Sequence, residues 1–154
     1  MSILIKAKFK LEFLINESVI IDSHQHFWEY DAKEYGWITD QLSPLKRDFL
    51  PEELGILLKN ENIFGSISVQ ARQSERENDF LLELAENNTF IKGVVGWIDI
   101  KSEKIEERLN FYKKFSKMKG FRHVVQDEND PSFMLHPAFL NGINALVQSG
   151  FTYD

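Results

Sequence analysis

The chain has 154 residues, 24 acidic against 18 basic side chains for a formal charge of −6, and no cysteine. Phosphate contacts dominate affinity for nucleic acid, so an acidic chain without a basic stripe points away from that partner. The missing cysteines exclude disulfides, thiolate zinc sites and cysteine nucleophiles, and make the cytoplasm the expected compartment.

Residues 1–18 stand apart as an N-terminal extension. Ile3, Ile5, Ala7, Phe9, Leu11 and Phe13 alternate with Lys6, Lys8, Lys10 and Glu12, the pattern of a strand with one buried face. These charges interrupt the apolar core that a secretory signal or a membrane span requires. The segment reads as an extra strand or hairpin, or as an over-extended start, and carries no chemistry. The domain proper is expected over 19–154.

A first strand is predicted over 19–23, where Val19-Ile20-Ile21 has the apolar character of a buried strand, followed by Asp22-Ser23-His24-Gln25-His26-Phe27-Trp28. Side chains alternate along a strand, so His24 and His26 share a face and Gln25 points away. Convergent imidazoles suit a divalent metal, or a substrate oxygen that needs donors. The plainer alternative is one core histidine and one loop histidine, since two ligands alone do not complete a metal site.

The stretch 26–49 is long, aromatic and charged, as binding loops are. Within it Tyr30, Trp37 and Arg47 suit a carboxylated or hydroxylated ring, unless the loop simply packs on its own aromatics. Pro51 opens a helix with Leu54, Leu57 and Leu58 on one face. A second strand over 64–71 brings up Gln70, a pocket residue or a buried amide, with Arg72 beyond it.

Ser74-Glu75-Arg76-Glu77 predicts a capping box, with Ser74 accepting from the backbone of Glu77 and the glutamate reaching back. The helix presents Phe80, Leu81, Leu84 and Ala85 and ends near Asn87-Asn88. A third strand over 94–98 ends in Trp97, expected to pack, and Asp99, expected to cap. Ser102 then caps a helix with Ile105, Leu109 and Tyr112 inward. The fourth strand, 121–125, brings Arg122, His123 and Gln126 to one end. Arg122 and His123 face opposite ways, and parity alone leaves open which faces inward. His136 is expected to cap or to lie in a loop. Pro137 begins a helix with Phe139, Leu140, Ile143, Leu146 and Val147 apolar, Gly150 closes it, and 151–154 starts a fifth strand.

Strands alternating with helices imply parallel pairing, and a closed (β/α)8 barrel takes roughly 250 residues. Four βα units and the start of a fifth strand make an α/β half-barrel, with an open edge and an apolar face. The expectation is an N-terminal fragment or truncated product. The alternatives are a four-stranded open sheet folding alone and two half-barrels closing as a dimer.

The run from Ile20 to Trp28 resembles the first-strand motif of the amidohydrolase superfamily. More narrowly it resembles the amidohydrolase-related TIM-barrel lactonases of sugar and dicarboxylate lactones. The resemblance continues through Tyr35-Gly36-Trp37-Ile38, Arg47-Asp48-Phe49, Val69-Gln70-Ala71, Val94-Val95-Gly96-Trp97-Ile98-Asp99 and Gly120-Phe121-Arg122-His123-Val124-Val125-Gln126-Asp127. It implies the N-terminal half of a TIM barrel that hydrolyses a small lactone or a related ester or amide.

The resemblance further implies catalytic roles for His24, His26 and His123, with His123 ahead of Arg122, and a substrate pocket that includes Gln70 and Arg122, to which the loop adds Trp37 and Arg47 as substrate-binding candidates. His24 and His26 would hold a divalent metal such as zinc, or bind substrate directly. The base carboxylate and further ligands would come from strands five, six and eight, so this stretch alone is expected to be inactive. Zinc-dependent decarboxylation, a metal-dependent nuclease or phosphatase, and a non-catalytic half-barrel that associates with a partner or with itself are the alternatives.

Overall fold

In the computed structural model, residues 19–154 are described, so the strand expected within 1–18 lies outside the described residues. Five short strands form one sheet: β1 (Ile21–Gln25), β2 (Gly65–Val69), β3 (Ile91–Gly96), β4 (Met118–Phe121) and β5 (Thr152–Tyr153). They lie side by side in chain order and every neighbouring pair is parallel. Four helices alternate with them: α1 (Pro51–Asn60), α2 (Glu75–Asn87), α3 (Ile105–Tyr112) and α4 (Pro137–Ser149). Such βα repetition curves the sheet with helices on its outer face, which makes the chain half of a (β/α)8 barrel. Among the described residues no helix is long and apolar enough to cross a membrane.

Register separates the two faces of the sheet. Ser68 pairs with Val94, Val94 with Met118, Gly96 with Phe121 and Phe121 with Tyr153. This set faces the helices, where Val94, Met118 and Phe121 join Leu81, Leu82, Ile91, Leu109, Tyr112, Phe139 and Leu146 in the core. Val69, Val95, Gly120 and Thr152 pair on the other, inner face.

Several boundaries differ from expectation. The third strand is Ile91–Gly96 and the fourth Met118–Phe121, while Val125–Asp127 is a 3-10 turn. Ser74 Oγ accepts from Arg76 N, at 3.3 Å, so the expected capping box is not the one formed. Glu77 reaches back further, its Oε2 accepting from Ala71 N at 3.1 Å and Arg72 N at 3.0 Å. Ser102 Oγ holds Lys104 N at the turn before α3 rather than the helix itself. Pro51 and Pro137 do open helices, and Gly150 closes α4 in the left-handed region at φ 79°. His136 caps α4 through Nδ1, which accepts from Ala138 N.

The apolar faces drawn for α1 and α4 are only partly covered. Leu58 and Leu146 are buried, but Leu57 is 55% exposed and Val147 70%. Leu140 and Ile56 are exposed beside them.

The α4 contact depends on one missing methyl group. A Cβ on Gly142 would collide with the carbonyl of Ile100 and with its side chain. Gly142→Ala is therefore expected to lower stability by about 2 kcal/mol or more through overpacking, read as a drop in the urea midpoint. An unchanged midpoint would show that α4 does not approach β3's exit so closely.

Candidate active site

At the carboxyl end of β1 the strand register shifts between Asp22 and Gln25, so that Gln25 pairs with Ser68 on the helix face. His24 and His26 are thereby turned to the inner face. Their ring centroids lie 4.9 Å apart with planes at 82°. His26 Nδ1 lies 2.9 Å from Val69 O. Donation to that carbonyl fixes the proton on Nδ1 and leaves Nε2 as the lone pair of the ring. Burial lowers the pKa of His26, and the neighbouring His24 and Arg122 charges act in the same direction. Near neutral pH this ring is a neutral acceptor.

Arg122 and Asp154 arrive from the opposite side of the half-barrel. Arg122 follows Phe121, which points into the helix core, so Arg122 takes the inner face. Its N–H donates to Gly96 O at 2.9 Å. Asp154 N donates to Phe121 O at 3.1 Å, and its carboxylate Oδ2 stands 3.4 Å from His24 Nδ1. Two imidazoles, a guanidinium and a carboxylate therefore share the carboxyl-end rim, where barrels of this type carry their chemistry.

The other candidates are placed differently. His123 is engaged by Trp97, Glu128 and Phe133 rather than by the His24 and His26 pair. Its Nε2 lies 2.6 Å from Glu128 Oε1, its Nδ1 accepts from Trp97 Nε1 at 3.3 Å, and its ring stacks on Phe133. Both nitrogens are committed within the protein. Gln70 is fully buried and shares the parity of Ser68, which places it toward the helices. Arg47 forks onto Glu53 of α1 at 2.7 and 2.8 Å and lies over the Phe49 ring. Trp37 is 45% exposed and meets Trp28 edge-on.

The loop 26–49 is largely held by its own aromatics. Trp28, Tyr35 and Ile38 form a small buried cluster with Tyr30 and Phe49 against it. Glu34 of this loop pairs with Arg72, beside a cavity of about 400 Å³ that Tyr30, Tyr35 and Phe80 also line.

Sequence reasoning passed over four residues that matter here. Asp154 carried no local pattern beyond its strand-end position. Glu128 lies five residues from His123, a spacing that no helix or strand period selects. Asn78 looked like an ordinary polar position of an amphipathic helix, and Glu77 like a capping glutamate with no part at the β2 exit. Both are fully buried, and Asn78 is spent entirely on Trp97 and Tyr112.

Taken together, the half-barrel and its histidine rim define an amidohydrolase-type chain. It belongs to the amidohydrolase family, whose profile matches residues 21–146. An L-fucono-1,5-lactonase of Burkholderia multivorans is 42% identical over 87% of this chain and 45% of that protein. An amidohydrolase crystal structure from the same species, with bound zinc, superposes at a TM-score of 0.85 with 40% identity, covering 89% of this chain and 48% of that one. A probable 2-pyrone-4,6-dicarboxylic acid hydrolase of Acinetobacter baumannii shares the fold at a TM-score of 0.64 and 14% identity. The chain spans about half the length of the curated relatives it matches.

Glu77 offers a check on this geometry that does not depend on activity. Burial pushes its carboxyl up to about 7, against the opposing pull of the Arg72 and Ala71 N–H groups. A folded-state pKa above the unfolded one means the contribution is full below about 4.5 and is lost as pH rises through 7. Relative to Glu77→Gln, the native chain should therefore lose stability between pH 4.5 and 7.5 in urea melts. Parallel pH profiles for the two proteins would contradict the buried carboxyl.

Proposed function

We propose that this chain supplies the first half of the active site of a cytoplasmic lactone hydrolase acting on a small sugar or dicarboxylate lactone. The observation that carries the reading is the convergence of His24, His26, Arg122 and Asp154 on one rim of a family barrel. The 42% identity to an L-fucono-1,5-lactonase supports the sugar lactone in particular.

Hydrolysis of a lactone adds water to the ring carbonyl, breaks the ring C–O bond and passes a proton to the departing oxygen, giving a hydroxy acid. Negative charge builds on the carbonyl oxygen in the transition state. A guanidinium at that position, as Arg122 provides, stabilises such charge most in a site from which water is excluded. The neutral Nε2 of His26 can accept a proton there, and the Asp154 carboxylate orients His24.

A divalent metal such as zinc fits this rim in one respect. Metal-bound histidines typically donate their second ring N–H to a carbonyl or carboxylate, as His26 does to Val69. Among the described residues no cluster of three His, Cys, Asp or Glu side chains is arranged to enclose an ion. His24 and His26 would therefore hold it together with donors from outside these residues. Such an ion supplies Lewis acidity and lowers the pKa of bound water.

The exposed apolar residues favour a second reading, self-association of the half-barrel. Among the described residues, Val19 and Ile20 before β1, Ile56 and Leu57 on α1, and Leu140 and Val147 on α4 flank the two sheet edges, β1 and β5. Light scattering on the 18.0 kDa chain should then report a dimer, whereas a monomer mass would leave that reading without support.

The activity is tested by fusing this chain to the remaining part of the Burkholderia multivorans lactonase and following acid release from L-fucono-1,5-lactone. His24→Asn and His26→Asn are each expected to reduce turnover about 100-fold or more. Full activity in both variants would remove the histidine pair from the mechanism.

A further inference from the structure

Three tryptophans occupy three different environments. Trp28 is 5% exposed inside the loop cluster, and Trp37 is a surface residue. Trp97 is only partly buried, yet side chains fix both its backbone and its indole. Asn78 of α2 grips its backbone from both sides, accepting from Trp97 N at 2.7 Å and donating to Trp97 O at 2.7 Å. Asn78 also donates to Tyr112 Oη at 2.9 Å, and that hydroxyl donates to Glu75, which pairs with Arg108. Gly96 makes room for the clamp, because any Cβ there would collide with the Asn78 amide.

The indole N–H is fixed as well. It donates to His123 Nδ1, and His123 in turn donates from Nε2 to Glu128 Oε1. The imidazole lies flat on Phe133 at 4.7 Å and 18°, while Lys101 Nζ stands 4.0 Å from the centroid of the same Phe133 ring. With its one polar atom satisfied, Trp97 has only aromatic surface left to offer.

That surface belongs to the rim. Gly96 faces the helices, so Trp97, the next residue, alternates to the inner side. It stands two strand spacings, about 10 Å, from the end of β1 and next to Arg122.

We infer that Trp97 is the binding platform for the C–H face of a sugar-lactone ring, and that Asn78, His123 and Glu128 are positioning residues that hold it there. The inference rests on the lactone reading above. Aromatic rings with satisfied polar atoms, placed beside a few convergent polar groups, are what small-molecule sites of this kind use to set ring orientation.

The test uses this chain fused to the remaining part of the Burkholderia multivorans lactonase and labelled with 5-fluorotryptophan, its Trp97 fluorine resonance assigned by Trp97→Phe, with galactono-1,4-lactone as the probe. Galactono-1,4-lactone is expected to shift the Trp97 resonance, while ethyl lactate, an acyclic ester, leaves it in place. Trp97→Leu should weaken lactone binding about tenfold. Glu128→Gln keeps an acceptor for His123 and should preserve the native Trp97 signal, whereas Glu128→Leu should broaden or move it. A native signal and affinity in Glu128→Leu would overturn the positioning role. If the lactone shifts the His24 and His26 ring resonances but not Trp97, the platform is wrong and the lactone reading stands. If neither responds, the lactone reading fails and this inference falls with it.

Discussion

In a parallel sheet a slip of one residue carries every later side chain to the opposite face, so the rim of this half-barrel is decided by strand register. Three of the four strand pairs contain a register shift. Between β3 and β4 the shift skips Lys119: Val94 pairs with Met118 and Val95 with Gly120. That one irregularity sends Phe121 into the helix core beside Tyr112 and Phe151, and Arg122 inward. The shift in β1 does the same for the histidines, placing Gln25 opposite Ser68 and leaving His24 and His26 on the inner face. Bulges next to active sites commonly re-aim side chains in this way.

The helix layer supports the rim from behind. Glu75, Glu77 and Asn78 all lie in the first turns of α2; Glu75 ties that helix to Arg108 and Tyr112 of α3, while the other two reach the sheet's carboxyl end. Glu77 holds the β2 exit through Ala71 and Arg72, and Asn78 holds the β3 exit through Trp97. Gln73, just before the helix, accepts from Val124 N and so ties the loop after β2 to the loop after β4. Hydrogen bonds of this kind are modest individually, but leaving a buried partner unmet costs about 1–3 kcal/mol. The rim is therefore held by buried side-chain bonds, while the outer loop relies on aromatic packing and exposed ion pairs such as Arg47 with Glu53.

Element type and order were readable in the sequence because prolines at helix starts, the glycine at 150 and the apolar spacing are local signals. Strand ends were less so. Lys117 and Lys119 around Met118 hid the start of β4, and the apolar Val124-Val125 suggested a strand where the chain turns. The His24 and His26 pair was visible because its two-residue spacing is the strand period itself. The relation between Arg122 and His123 was not, since a bulge is invisible to an alternation argument. Glu77 lay within a recognisable capping pattern, but it bonds two to three residues beyond that pattern, where the β2 exit offers free N–H groups. Asn78, Trp97 and Glu128 are joined only by tertiary contacts, which no window along the chain can display.

The absent side chain at Gly96 links two positions that lie eighteen residues apart in the chain. A change at 96 cannot be accepted while Asn78 keeps its place, and a change at 78 releases the backbone of Trp97. Drift at this part of the rim is thus governed from the helix side, where no substrate ever reaches. Chains that alter one of the two residues should alter the other with it, so the identity at 78 reports on the rim more faithfully than many residues that face the pocket directly.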